Sequence, residues 1–202
     1  MSDFVMSGAE CRALDQLAMQ ELGLSEFQLM QRAGRAATQM LTTTWPEVDH
    51  IVVYCGPGNN GGDGYLVAAE AKRLGYTVRV FALGEPGSDS ARSARQYALE
   101  QGLQIEKIGD SLEKNLDPAA QLVVDALFGH GLVRDIGEPL ASLFEVLNTS
   151  CVPVFALDVP SGINSDTGAA MGVALRAQAC LSFVAPKIGL MTGAGLDYAG
   201  ET

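Results

Sequence analysis

The spacing of apolar and polar positions changes several times along this chain, and each change marks a structural element. Ser7 followed by Glu10 reads as a capping box ahead of an apolar-periodic stretch. Ser25 followed by Gln28 is a second such box, with Leu29, Met30, Ala33, Ala36, Ala37 and Met40 spaced along one helix face. Gly23 separates the two helices. From His50 onward short apolar runs alternate with helical periods. His50–Gly56, Thr77–Leu83, Gln121–Leu127, Val152–Pro160 and Ala179–Ala185 read as strands, with Leu103–Ile108 a weaker one. Gly64–Leu74 and Ser88–Gln101 read as helices stopped by Gly75 and Gly102, and Pro139–Asn148 as a helix with proline near its first turn. Strands apolar on both faces that alternate with helices predict the α/β class. The expected architecture is three-layer α/β/α, Rossmann-like, a mostly parallel sheet with helices on both faces.

The chain has 202 residues, enough for one domain with a full core spanning 1–202. Its last stretch, Thr192–Thr202, carries no helix or strand pattern, and the expectation is one domain of a longer protein, or else a frayed tail. A net charge of −11 excludes general nucleic-acid binding, which relies on counterion release, and argues against anionic membranes. No apolar run approaches the ~20 residues of a membrane span. The N-terminus lacks a basic region followed by an apolar stretch, so no signal peptide is expected. Four cysteines, Cys11, Cys55, Cys151 and Cys180, form no C-x-x-C pair, and no His/Cys cluster has zinc spacing. Cys55, Cys151 and Cys180 lie in apolar runs and are expected to pack as small hydrophobes in a reducing, cytoplasmic setting.

Ligands of open parallel sheets bind outside the carboxyl ends of the strands. Three polar, glycine-rich segments follow strands here: GPGNNGGDG (Gly56–Gly64), the stretch from Asp125 to Asp135, and DVPSGINSDTG (Asp158–Gly168). All three are predicted on one rim. Gly56, Gly58 and Gly61 satisfy G-x-G-x-x-G, and Glu85 ends the next strand where an acid could hold a ribose. Both features favour a nicotinamide-dependent oxidoreductase. Pro57 opposes it by removing a backbone N–H. Asp63 opposes it as a carboxylate at the helix N-terminus, where a pyrophosphate would sit, although it would also serve as an N-cap. The Walker lysine and hydroxyl are absent.

Asn60, Asp125 and Ser161 offer one oxygen-bearing side chain from each loop. The set suits a hard cation, monovalent or weakly held divalent, or else a hydrogen-bond network tying the loops together. Asp158 ends a buried strand, where a raised pKa would suit an acid or base, or where the carboxylate would cap the turn at Ser161 and Gly162. Lys187 either meets an anion or is a solvated surface residue. His130, between two glycines, is either a base or incidental to the loop.

Taken together, NNGGDG (Asn59–Gly64), DALFGHGLVR (Asp125–Arg134), DVPSGINSDTG (Asp158–Gly168), the run Lys187–Gly193 and the opening Glu10–Ala37 resemble the NAD(P)H-hydrate epimerase family, also called the YjeF N-terminal domain. The likeness covers nearly the whole chain. It implies a Rossmann-like fold and interconversion of the R and S forms of hydrated NADH and NADPH. It also implies a homodimer and, in many bacteria, a C-terminal dehydratase domain on the same chain. By motif, Asn60, Asp125 and Ser161 match potassium ligands. Asn59, Asn60, Gly61, Gly62 and Asp63 match substrate-contacting positions, as do Gly129, His130, Gly131, Leu132, Val133, Arg134, Asp135, Asp158 and Lys187. Asp158 is expected as the leading acid/base and Asp63 as its assistant. Two positions depart from the family pattern: His130 stands where Thr is usual, and Ile188 where Pro is usual. A non-catalytic interaction scaffold of the same fold is the alternative of a different class.

Overall fold

The protein, described here from a computed structural model over residues 4–202, opens with α1 (Gly8–Leu22) and α2 (Glu26–Thr44). Residues 1–3, part of the segment read for a signal peptide, lie outside the described residues. Both capping boxes form: Ser7 and Ser25 accept from the backbone of Glu10 and Gln28, whose side chains accept in return from the capping residues' own N–H groups. Each cap satisfies helix-end donors and stabilises by about 1 kcal/mol.

The alternating part follows in order: β1 (His50–Cys55), α3 (Asn59–Arg73), β2 (Thr77–Ala82), α4 (Asp89–Glu100) and β3 (Ile105–Lys107). Then come β4 (Leu122–Ala126), α5 (Leu140–Thr149), β5 (Val154–Leu157), β6 (Ala179–Leu181) and the short α6 (Gly195–Tyr198). The strands form a single sheet in the order β3-β2-β1-β4-β5-β6, and every pairing among them is parallel. The chain therefore winds outward from β1 in one direction and, from β4, in the other. Right-handed crossovers in opposite directions place their helices on opposite faces. One core joins α2, α3 and α4 to Ile51, Val53, Val124 and Phe155. The other joins α5 to Val52, Tyr54, Val123 and Ala156. The reversal between β1 and β4 leaves a crevice at their carboxyl ends, the place where doubly wound sheets bind ligands.

Several expectations change. The helix expected from Gly64 begins at Asn59, capped by Gly58. Asp63 is consequently inside the helix and not its N-cap. The glycines were read as a loop, but they serve close packing. A Cβ on Gly61 would lie 1.9 Å from the Gly56 carbonyl oxygen, and one on Gly64 would lie 2.5 Å from Ala126 Cβ. The strand expected to run to Pro160 stops at Leu157, because Asp158 turns to φ 69°. The strand expected to reach Ala185 ends at Leu181. Cys151 is exposed, whereas Cys55 and Cys180 are buried as expected. The Thr192–Thr202 stretch carries α6 and a parallel bridge between Ala179 and Glu201.

Candidate active site

The three strand-end segments do meet, around a cleft of about 570 Å³. Its rim takes Asn59, Asn60 and Asp63 from α3, Gly129, His130 and Leu132 from the loop after β4, and Asp158 and Lys187 from the segments after β5 and β6. Asp158 is held with its backbone in the left-handed region, a conformation uncommon outside glycine but tolerated by aspartate. Its N–H donates to Leu181 O at 2.7 Å, so neighbouring β6 fixes the turn. Val184, also on the cleft, has φ 68°, a genuine outlier for a β-branched residue. Strain of this kind concentrates at functional sites.

Asp158 is the hub of the cleft. The Lys187 ammonium contacts its Oδ1 and also donates to Phe183 O at 2.6 Å. His130 reaches Oδ2 twice, through its backbone N–H at 3.0 Å and ring Nδ1 at 2.8 Å. Burial alone would raise the Asp158 pKa, but the His130 hydrogen bond and the Lys187 charge outweigh it and hold the carboxyl at about 2. The raised pKa expected from its buried position is thus reversed, because the Lys187 ammonium and the hydrogen bonds of His130, both from other segments, converge on it. Lys187 is 1% exposed and belongs to the site instead of the solvated surface.

Asp63 shows the opposite balance. Burial raises its pKa well above the ordinary carboxylate value, and the nearby Asp158 charge adds to the effect. Its carboxyl makes no hydrogen bond among the described residues. Asp15 of α1 is also raised, first by burial, with Lys187 and His130 opposing. The cleft therefore sets one firmly ionised carboxylate beside carboxyls biased toward the neutral acid.

Behind this rim lies a second polar cluster. Asp125, fully buried within β4, accepts from Ser161 Oγ at 2.6 Å, Ser161 N at 2.7 Å and Leu127 N at 3.2 Å. Its pKa is pushed up to about 6 by burial, which these hydrogen bonds only partly counter. Phe128 N donates to Ser161 Oγ at 2.9 Å, and Gly129 lies against the Asn60 side chain, so one backbone stretch joins all three predicted ligands. Asn60 has both amide atoms buried without a hydrogen-bond partner. A buried amide costs free energy unless something satisfies it. An orphaned amide oxygen, a hydroxyl and a single buried carboxylate are a donor set that fits a hard, low-charge cation. Among the described residues no group of three His, Cys, Asp or Glu side chains is arranged to hold a metal ion.

The remaining predicted positions divide between the interior, the surface and the cleft. Gly61 and Gly62 pack against Gly56 and Met30 inside the fold, and Val133, Arg134 and Asp135 are exposed beyond the cleft lining. Gly131 lines the cleft beside His130. Asn59 is tied to its neighbours, donating to Glu26 at 2.8 Å and accepting from Ser88. Glu85 lies against Arg95 at 3.5 Å, is 82% exposed, and does not line the cleft, which removes the ribose-binding acid of the oxidoreductase reading. The outer wall, formed by Cys11, Arg12, Asp15 and Met19 of α1 and by Leu29 and Met30 of α2, was not evident from the sequence. The only available signal was the capped pair of helices ahead of β1.

A doubly wound α/β enzyme domain, with a cleft at its switch point lined by Asp15, Asp63 and Asp158, is what this fold and site define. The description "YjeF-related protein N-terminus" matches residues 26–189, and the chain belongs to that family. An NAD(P)H-hydrate epimerase from Limosilactobacillus fermentum is 37% identical over 202 residues, covering 100% of this chain and 95% of that protein. The bifunctional NAD(P)H-hydrate repair enzyme Nnr of Escherichia coli is 38% identical over 182 residues, covering 89% of this chain and 35% of the larger protein. The crystal structure of yeast ynu0 superposes with a TM-score of 0.82 at 25% identity, covering 93% of this chain and 83% of that one.

Proposed function

We propose that the protein is an isomerase that interconverts the R and S forms of hydrated NADH and NADPH. The observation that carries the reading is the paired state of two carboxyls in one cleft: Asp158 held ionised, Asp63 biased toward the acid. In the substrate the hydroxyl-bearing carbon neighbours the ring nitrogen. A proton from an acid lets the hydroxyl leave as water, the nitrogen lone pair forms a C=N bond, and a planar cation results. Water then adds from the other face and gives up its proton. Asp63 suits the donor role, because burial biases its cleft-lining carboxyl toward the protonated form that can deliver a proton. Asp158 supplies fixed negative charge for the developing cation. Lys187 keeps that charge in place.

The same reading assigns a potassium ion to Asn60, Asp125 and Ser161. A bound cation supplies charge neutralisation for Asp125 and orders the three strand-end segments. The S epimer would pass to an ATP- or ADP-dependent dehydratase, carried on the same chain or a separate one. A homodimer is part of the reading, supported by the exposed Leu14, Leu17 and Leu22 of α1. So is a cytoplasmic location, supported by four free thiols. Among the described residues no helix is long and apolar enough to cross a membrane. The test is chromatographic separation of hydrated NADH epimers during turnover. Asp158→Ala is expected to lose about 10²–10⁴-fold in rate, and full activity in that variant would remove Asp158 from the mechanism.

A further inference from the structure

We infer that His130, aimed by Asp158, carries a proton in the epimerisation, as the group that takes it from the incoming water and returns it to a leaving hydroxyl. The inference rests on the function proposed above and adds a residue to it. Asp158 is well placed to attract a cation but poorly placed to shuttle protons, since Lys187 holds one oxygen and His130 occupies the other twice. The next group along is an imidazole, the side chain best suited to gain and lose a proton near neutral pH.

The ring's orientation is set from three sides. Its Nδ1 lies 2.8 Å from Asp158 Oδ2, and an ionised carboxylate can only accept, so Nδ1 carries the hydrogen. That leaves the lone pair on Nε2. The ring edge packs on α1, where a Cβ on Gly8 would come within 3.0 Å of His130 Cδ2. The backbone is pinned by Ser165 Oγ, which donates to His130 O at 3.2 Å. Nε2 has no partner among the described residues, and His130 lines the cleft with its side chain 25% exposed. A carboxylate fixing one imidazole nitrogen while the other faces substrate is the arrangement of an oriented general base.

The step balances. As water adds to the ring cation, its oxygen forms the C–O bond and Nε2 takes the released proton. In the opposite direction the imidazolium returns that proton to the hydroxyl, and the C–O electron pair leaves with water. The ionisable groups around the ring are Asp158 with Lys187 behind it, Asp15 and Cys11 on α1, Asp63 on α3, and Asp166, whose Oδ1 accepts from Gly8 N at 3.0 Å. Any pH profile must be read against them.

The test compares wild-type protein with His130→Gln and His130→Ala on hydrated NADH epimers. His130→Ala is expected to lose about 10²-fold in kcat/KM, and added imidazole should restore part of the loss in proportion to its concentration. His130→Gln, which keeps an amide donor for Asp158, is expected to fold normally and to flatten the neutral limb of the pH profile. Near-wild-type rates in both variants would overturn the inference. So would a loss that imidazole does not rescue with an unchanged pH profile, since that would make His130 a positioning residue. A wild-type protein that never interconverts the epimers would instead sink the function itself.

Discussion

Asp125 and Asp158 stand at the ends of neighbouring parallel strands, both buried, the second at the cleft, yet they are held in opposite directions. Asp125 is met only by neutral donors, a serine hydroxyl and two backbone N–H groups, and burial carries its pKa up to about 6. Asp158 is met by Lys187 and His130 and is held at about 2. Burial raises the pKa of both carboxyls, so the partners decide the charge state. The same sheet edge thereby provides one carboxylate that calls for a cation and another that already has its own. In the function proposed above, the first cluster would hold the ion and the second would carry the chemistry.

The sharpest way to break the comparison is to remove the cation from Asp158. Lys187→Met keeps the volume and removes the ammonium from a buried carboxylate, leaving it only the His130 hydrogen bonds, so a destabilisation of about 3 kcal/mol is expected, together with loss of epimerase activity. Urea unfolding measures the first and epimer chromatography the second. Wild-type stability in that variant would show that Asp158 is not held as an ion pair.

A smaller effect is expected at Asp125. Its folded-state pKa is raised from 3.8, so without a cation it lowers stability as pH rises from about 4 through 6, by up to about 3 kcal/mol. Melting curves in potassium should be flatter across that window than in tetramethylammonium. Identical curves, with identical activity in the two salts, would remove the ion from Asn60, Asp125 and Ser161. Asp158 has the reverse sign. Its folded pKa lies below 3.8, so its contribution is present above about pH 4 and fades as pH falls toward 2, by about 2 kcal/mol. Acid unfolding of Asp158→Asn should lack that portion of the acid limb. The smallest effect belongs to Glu85, exposed and outside the cleft. Glu85→Ala should change stability by less than about 0.5 kcal/mol and leave epimerisation unaltered.

The rim was legible in the sequence because the carboxyl ends of parallel strands must converge, and Asn60 opens α3 after β1, Asp125 lies near the end of β4, and Ser161 follows β5. The start of α3 was not, because glycines that permit close approach look the same in one dimension as glycines that permit a turn. The Asp158 charge state was not legible either. It depends on Lys187 and His130, which only the fold brings to the same carboxylate. The α1 wall escaped for a related reason: α1 buries little beyond Gly8 and Cys11, so its periodicity hardly marks which face looks into the cleft.

The most direct test starts from each purified epimer of hydrated NADH in turn and follows the R/S ratio by chromatography in potassium buffer. Catalytic amounts of the protein should bring both samples to a common ratio, faster than the uncatalysed reaction and without hydride transfer to or from ordinary NAD. Two samples that change no faster than the enzyme-free controls would contradict the account.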